Sequence, residues 1–113
     1  MRRDDILLLD MLIAARDAVE FLRTSSREEL EQNRMQLWAV TKAIEIVGEA
    51  ASRVSQPFRM DHPEIPWEKI IGMRHRLVHG YFEIDRERVW KTTKAHLLSL
   101  IATLEKLVPP EED

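Results

Sequence analysis

The chain of 113 residues has no cysteine, only three glycines and no long uncharged apolar run. The lack of cysteine excludes disulfides and thiolate metal sites and is typical of a cytoplasmic protein. An apolar stretch at residues 6–9 resembles the start of a signal peptide, but charged residues interrupt it and no small-residue cleavage site follows. No uncharged run approaches the ~20 residues that a bilayer-spanning helix needs. We therefore predict a cytoplasmic protein that does not associate with membranes.

The charge balance is slightly acidic, with a formal net charge of −3. This excludes a generally cationic nucleic-acid binder, so any RNA site has to be a local patch. Residues 68–91 carry six Lys/Arg and four Asp/Glu, a local excess of +2, together with His75 and His79. The hydrophobic fraction of 44% and the charged fraction of 33% are typical of a folded protein. The length predicts a single domain over residues 1–113.

Apolar residues recur at helical steps of three and four along most of the chain, which predicts long helices. The first helix begins at Asp4 or Asp5, either of which can cap it, and ends near residue 23. Ser26 and Glu29 form the pattern of a capping box, in which the serine oxygen accepts a hydrogen bond from a first-turn N–H group. We therefore predict a second helix from about residue 27 to residue 54.

Residues 55–65 contain two prolines and lack periodicity, so we predict a loop there. Pro66 suits the first position of a third helix, because its missing N–H group would have no partner there. This third helix is predicted to end near His79, because Gly80 is suited to a left-handed C-terminal cap.

A fourth helix starts at Asp85, whose side chain can cap it, and runs to about Leu107, where two prolines follow shortly. The sequence has no internal repeat and no period of two residues that would indicate strands. Four helices with few breakers inside them favour an up-down bundle. We therefore predict an all-α four-helix up-down bundle, and a domain this small would gain stability from forming a dimer.

One stretch, residues 73–81, carries residue types suited to chemistry on a phosphate. It has the spacing R-x4-H-x-Y, with Arg74, His79 and Tyr81 at the three positions. The guanidinium is always charged and its fork matches a phosphate, while an imidazole can move a proton near neutral pH. The pair could cleave RNA without a metal ion. The imidazole would transfer the proton of the 2′-hydroxyl or of the leaving oxygen, and the arginine would hold the phosphate and stabilise the charge of the transition state. His75 and Arg76 would support the pair.

The spacing of this pair raises a geometric difficulty. Residues five apart lie about 140° apart around an ideal helix, so Arg74 and His79 do not share a helix face. Either the helix unwinds at Gly80, or a second chain in a symmetric dimer supplies the missing group. The macrodipole at the end of the third helix would favour a protonated imidazole at His79.

The same stretch resembles a known family. Residues 74–81, RHRLVHGY, are similar to the R-x4-H-x-Y signature of HEPN-domain toxins of the HepT type. The resemblance extends over most of the chain, from about Asp4 to Leu107. It is carried further by the segments AIEIVGEAA at 43–51, IPW at 65–67 and FEID at 82–85.

The resemblance implies an α-helical homodimer of HEPN type that acts as the RNase toxin of a toxin–antitoxin system. It implies that Arg74 and His79 form the active site and that no metal or cofactor is required. It also implies a partner, an MntA-type nucleotidyltransferase antitoxin, which transfers AMP from ATP to Tyr81 and so blocks the entry of RNA. The chain departs from the family pattern at His75, where many HEPN nucleases carry asparagine or a similar polar residue; histidine can still donate a hydrogen bond.

Simpler interpretations stay open. Arg74 could form only a structural salt bridge, with Glu45 or Glu49 as its partner. Those two glutamates lie four apart on the second helix and could instead bind a metal, although no carboxylate–histidine motif accompanies them. Tyr81 could be a packing residue with a satisfied hydroxyl group. The whole chain could also be a catalytically silent helical subunit that presents a nucleotide or a partner to a nucleotidyltransferase, or a purely structural dimer.

The other histidines and the tryptophans have ordinary structural interpretations. His62 lies in the proline-containing loop and is predicted to be solvated, and His96 is predicted at the boundary of the core. Tryptophans can stack on nucleic-acid bases. Among aliphatic residues at helical spacing, however, we predict that they lie in the core or in an interface: Trp38, Trp67 and Trp90.

Overall fold

The computed structural model of the chain describes residues 2–78 and 83–110, and most of these residues are helical. Within the described residues, the only pairing of strand type is a single antiparallel bridge between Val78 and Ile84. The prediction of an all-α fold is confirmed. Helices α1 to α8 comprise, in chain order, Arg3–Phe21, Arg27–Gln32, Arg34–Arg53, Gln56–Asp61, Trp67–Ile71, Met73–Leu77, Arg86–Lys91 and Leu97–Leu107, and a π-helical turn at Thr92–His96 joins the last two.

The long helices α1 and α3 form the centre of the fold and run antiparallel. The start of α1 reaches the end of α3, where Asp4 contacts Ser55. The end of α1 reaches the start of α3, where the Gln36 amide donates a hydrogen bond to the Phe21 carbonyl at 2.8 Å. Helix α8 also packs against α1. The apolar faces of these helices meet in one core, whose fully buried members include Leu8, Met11, Val40, Ile44 and Leu104.

The single helix predicted from residue 27 to residue 54 is wrong, because the chain divides there into α2 and α3. Ser26 caps α2 as predicted, accepting a hydrogen bond from the Glu29 N–H at 3.1 Å. Asn33 then leaves the helical conformation (φ −103°, ψ 93°), and its side-chain oxygen accepts from the Gln36 N–H at 2.9 Å. Asparagine competes for backbone hydrogen bonds in this way, so it favours the start of a helix over its interior.

The loop predicted over residues 55–65 is wrong in part, because α4 occupies residues 56–61. Ser55 caps this helix and accepts a hydrogen bond from the Phe58 N–H at 3.3 Å. Pro57 lies in the first turn, where a backbone N–H group would have no helical partner. The serine and the proline therefore start a helix that the lack of apolar periodicity concealed.

The two aspartates near the start of α1 have different partners. The helix begins at Arg3, so the prediction that Asp4 or Asp5 is its N-cap is wrong. Asp5 lies inside the first turn, where its carboxylate accepts a hydrogen bond from the Arg2 N–H at 3.3 Å. Asp4 instead accepts from the Ser55 N–H at 2.9 Å and from the Ser55 hydroxyl at 2.6 Å. These two hydrogen bonds, first the hydroxyl and then the N–H, lower the pKa of the Asp4 carboxyl. Asp4 thereby ties the first turn of α1 to the cap of α4.

The predicted third helix consists of α5 and α6, which Gly72 separates. Helix α5 packs unusually close to α3, because a Cβ atom added at Gly48 would lie only 3.0 Å from the Ile70 carbonyl oxygen. The lack of a side chain at Gly48 therefore sets the distance between α3 and the segment that carries the candidate site.

Helix α6 ends at Leu77, two residues before the predicted end at His79, because Val78 is extended (φ −120°, ψ 115°). Gly80, the predicted helix cap, lies outside the described residues. On the far side of that segment, Ile84 pairs with Val78 and the Asp85 N–H donates to the Leu77 carbonyl at 2.7 Å. The residues before and after the segment 79–82 therefore lie side by side at the end of α6.

The predicted fourth helix is present from α7 to α8, with one π-helical turn inside it. Asp85 caps α7 as predicted, accepting a hydrogen bond from the Arg88 N–H at 3.1 Å. The helical path ends at Leu107, where the sequence predicts it. The prediction of four unbroken helices is therefore wrong, because the described residues form eight shorter α-helices and a π-helical turn. The homodimer stays a prediction.

Candidate active site

Arg74 extends from α6 towards α3 and remains largely in solvent. Its Nε lies 3.7 Å from the Glu45 Oε1, and the two side chains are 62% and 25% exposed. This ion pair is the one that the simpler interpretation of Arg74 left open, with Glu45 as the partner. An exposed ion pair at this distance stabilises a protein by only about 0–1 kcal/mol. The pair therefore leaves the guanidinium within reach of an anionic ligand.

The local sequence explains why Arg74 is held at this place. Leu77, three residues later, is buried and anchors α6 in the core. The extended Val78 and its bridge to Ile84 then stop the helix. A helix of five residues cannot be stable by itself, so the packing of Leu77 and the backbone contacts of Val78 position the arginine.

His79 and Tyr81, the other two members of the R-x4-H-x-Y pattern, lie outside the described residues. The observed end of α6 still bears on the geometric difficulty, because the helix ends at Leu77 and Val78 is extended. The argument that Arg74 and His79 must lie 140° apart therefore does not apply. The roles of His79 and Tyr81 stay predictions.

The two supporting residues have different surroundings from Arg74. His75 is exposed. Arg76 donates a weak hydrogen bond to the Lys69 carbonyl, with 3.4 Å between Nη1 and the oxygen. Residues two apart on a helix lie about 200° apart, so Arg76 points to the side of α6 away from Arg74. Arg76 therefore lies apart from Arg74, and the supporting roles of His75 and Arg76 stay predictions.

On that other side lies a groove of about 410 Å³ between α5 and α6 on one wall and α7, the π-helical turn and α8 on the other. Its floor is apolar, and its cationic side chains are Lys69, Arg76, Arg88 and Lys91. Glu64 is the one carboxylate among its lining residues. Sequence reasoning missed this groove. The local excess of positive charge in residues 68–91 is the signal that could have found it.

The prediction that His62 is simply solvated is wrong. Its side chain is 28% exposed, and its Nδ1 lies 2.8 Å from the Glu64 Oε1. Hydrogen bonding to this imidazole is the main cause that lowers the pKa of the Glu64 carboxyl. The His62 ring also packs on the Phe58 ring with 4.4 Å between centroids. The backbone carbonyl of His62 accepts a hydrogen bond from the Trp67 indole N–H at 3.0 Å. His62 therefore organises the connection between α4 and α5.

The remaining aromatic and acidic residues differ in their exposure to solvent. Trp67 is buried, whereas Trp38 is 46% exposed on α3. His96 is exposed and lines the groove. In the part of the chain that the structure describes, no group of three His, Asp or Glu side chains lies close enough to hold a metal ion, Glu45 and Glu49 included. None of the helices within residues 2–78 and 83–110 is long and apolar enough to cross a membrane.

An all-α domain that presents a solvent-accessible arginine on a short helix, five residues before a histidine and seven before a tyrosine, defines a class of small helical proteins with a candidate phosphate site. Comparison with known proteins narrows this class. The sequence profile described as "Ribonuclease HepT-like" matches residues 11–107. The chain belongs to the ribonuclease HepT-like family, and that membership indicates an enzyme of the ribonuclease class.

Individual relatives agree with the family assignment. The chain is 40% identical over 88 residues to "Probable ribonuclease HepT" of Thermococcus cleftensis, a match covering 78% of this chain and 80% of that protein. It is 39% identical over 87 residues to "Putative RNase MJ1380" of Methanocaldococcus jannaschii, covering 77% of this chain and 80% of the relative. No solved structure matches the chain significantly.

Proposed function

We propose that the chain is an endoribonuclease that cleaves RNA without a required metal ion, with Arg74 and His79 as its catalytic residues. The observation that carries the proposal is the position of Arg74 in a member of the ribonuclease HepT-like family. Its side chain is 62% exposed, and the ion pair that it forms with Glu45, among the described residues, is a long one of 3.7 Å. An incoming phosphate can replace such a weak partner, because charge-assisted bidentate hydrogen bonds are stronger than an exposed pair.

The chemistry follows from the residue types. The 2′-oxygen of the RNA bonds to the adjacent phosphorus, and the bond from phosphorus to the 5′-oxygen breaks. The imidazole of His79 either accepts the proton of the 2′-hydroxyl or donates a proton to the leaving 5′-oxygen, and water carries out the other transfer. Arg74 holds the phosphate and stabilises the additional negative charge of the transition state. The products are a 2′,3′-cyclic phosphate and a 5′-hydroxyl.

Cleavage of RNA by the purified chain in excess EDTA tests this proposal. We expect the native chain to cleave RNA to products with a 5′-hydroxyl end and the His79→Ala variant to be inactive while remaining folded. Products with a 5′-phosphate, or activity that returns only with an added divalent cation, would indicate attack by metal-activated water and contradict the proposal.

We further propose that the enzyme is a toxin that a minimal nucleotidyltransferase antitoxin of the MntA type neutralises by transferring AMP from ATP to Tyr81. The tyrosine oxygen bonds to the α-phosphorus of ATP and pyrophosphate leaves. Tyr81 lies two residues after His79 in the sequence, so a nucleotidyl group on its phenol would bring negative charge and bulk close to the catalytic residues. This proposal rests on the family pattern R-x4-H-x-Y.

Intact-mass measurement after coexpression with such a nucleotidyltransferase tests the modification. We expect mass increments of AMP on the native chain and none on Tyr81→Phe, which has the same ring without the reacting oxygen. Increments that persist in Tyr81→Phe would remove this residue from the account.

We propose that the functional unit is a homodimer, because a small domain buries a modest fraction of its surface by itself. Exposed apolar side chains along the outer face of α3, including Trp38 at 46%, support this proposal. A solution mass equal to that of one chain at working concentration would contradict it.

A second candidate function is a catalytically silent subunit of a nucleotidyltransferase complex. The observation that favours it is the Arg74–Glu45 ion pair, since a purely structural arginine would be paired in the same way. In that case the native chain would leave RNA intact in EDTA and still bind the nucleotidyltransferase.

A further inference from the structure

The groove on the side of α6 away from Arg74 has a chemical character unlike that of the whole molecule. Its lining contains four Lys/Arg side chains and one carboxylate, a local balance of +3, whereas the complete chain carries −3. Such a concentration of positive charge in an acidic protein attracts an anionic ligand to one place.

The cations lie on both walls of the groove. Lys69 and Arg76 belong to α5 and α6, and Arg88 and Lys91 belong to α7. Arg88 pairs with Asp85 through its Nε at 3.2 Å, and Lys91 pairs with Glu87 at 3.3 Å. Both are exposed pairs between close neighbours on one helix, which contribute little and yield readily to a phosphate.

The floor of the groove is apolar. It includes Ile70 and Met73 from one wall and Leu97 and Leu100 from the other. A volume of about 410 Å³ with an apolar floor and a few charged groups at its rim is typical of a site for a small organic ligand or one unit of a polymer. Apolar surface suits the face of a nucleobase, and the cationic rim suits phosphates.

We propose that this groove binds single-stranded RNA beside the cleavage site, holding a nucleotide that flanks the scissile phosphate, with its base on the apolar floor and its phosphates between Lys69 and Lys91. The proposal rests on the proposed ribonuclease function. Arg74 and Arg76 point to opposite sides of the same helix, whose diameter with side chains is about 10–12 Å. A strand that passes around the end of α6 can therefore reach both places.

Binding of a fluorescently labelled 2′-O-methyl oligouridylate, measured by anisotropy at several salt concentrations, tests the groove separately from cleavage, because the blocked 2′-oxygen cannot react. We expect Lys69→Gln/Lys91→Gln to bind at least tenfold more weakly. The slope of log affinity against log salt should fall by about 1.4, since each phosphate contact on a single strand contributes about 0.7. Lys42→Gln/Lys106→Gln, which removes two charges outside the groove, should bind as the native chain does.

A second pair of variants tests the groove without changing charge. Ala95 is exposed and lines the groove, whereas Ala102 on α8 is also exposed but does not line it. We expect Ala95→Trp to fill the groove and weaken binding at least tenfold, and Ala102→Trp to have no effect. Groove variants that bind like their controls would overturn the proposal. So would a change of solution mass in Ala95→Trp with unchanged RNA binding, which would make the groove a protein contact.

The outcomes also separate this inference from the proposed function. A native chain that binds the oligouridylate through the groove but does not cleave RNA contradicts the proposed catalysis and leaves the groove site intact. A chain that cleaves RNA while the groove variants keep native affinity contradicts the groove site alone.

Discussion

At the scale of single residues, Arg74 combines an exposed side chain with a long ion pair to Glu45, so a phosphate can reach its guanidinium. The R-x4-H-x-Y pattern points to Arg74, and the sequence leaves Glu45 and Glu49 open as its partner, of which the structure shows Glu45. The pattern does not reveal that Arg76 faces a groove on the other side, because that follows from how α7 and α8 pack. His62 was similarly out of reach, since its contacts with Phe58 and Glu64 depend on a helix that periodicity does not indicate.

The Asp4–Ser55 contact makes a prediction about pH. Because hydrogen bonds from Ser55 lower the pKa of Asp4 in the folded chain, this carboxylate stabilises the fold above the ordinary carboxyl pKa of about 3.9. That stabilisation is lost as the pH falls through the lowered pKa. We expect Asp4→Asn to reduce the free energy of unfolding by about 1 kcal/mol at neutral pH and by much less at pH ~2. Urea denaturation at both pH values measures this.

The same measurement on Asp10→Asn supplies the control, since Asp10 is an exposed aspartate on the same helix. If Asp4→Asn and Asp10→Asn have equal effects at neutral pH, the link between α1 and α4 contributes nothing to stability.

At the scale of elements, apolar periodicity predicts the long helices and fails at their interruptions. It locates α1 and the path from α7 to α8 well, because each buries one continuous stripe in the core. It passes over Asn33, whose side chain starts α3, and over Ser55 and Pro57, which start α4. Both breaks carry capping signals in the sequence, so local hydrogen bonding outweighs periodicity there.

Gly48 sets the distance between α3 and α5, and Gly48→Ala tests this. In an exposed helix, alanine would be more favourable than glycine by about 1 kcal/mol. Here a Cβ atom would lie 3.0 Å from the Ile70 carbonyl oxygen, and overpacking of this kind costs about 1–3 kcal/mol. We therefore expect a net destabilisation of about 1 kcal/mol in urea denaturation, with weaker RNA cleavage because α5 leads directly into α6.

Ser52→Ala, four residues later on the exposed side of α3, is the matched control and should change stability by less than about 0.5 kcal/mol. A Gly48→Ala chain that is more stable than the native one would show that the gap between the helices is not needed.

At the scale of the whole molecule, the sequence predicts the all-α fold and the family. It does not predict how the charged side chains are distributed over the surface. The chain carries a net charge of −3, yet the residues that line the groove have a local balance of +3, with Glu64 as their one carboxylate. Helix α6 packs against both α5 and α7, and this packing brings Lys69 and Lys91 to the same groove. In the sequence, the excess of positive charge in residues 68–91 is the one indication of this arrangement.

The rate of RNA cleavage in excess EDTA, compared between the native chain, Arg74→Ala and Arg53→Ala, tests the central claim most directly. Arg53 is an exposed arginine at the end of α3, so it controls for loss of one positive charge. We expect the native chain and Arg53→Ala to cleave at similar rates. Arg74→Ala should be slower by about 10²–10³-fold, as is typical when a group that stabilises transition-state charge is removed. Equal rates for Arg74→Ala and the native chain, or no cleavage by the native chain, would contradict the account.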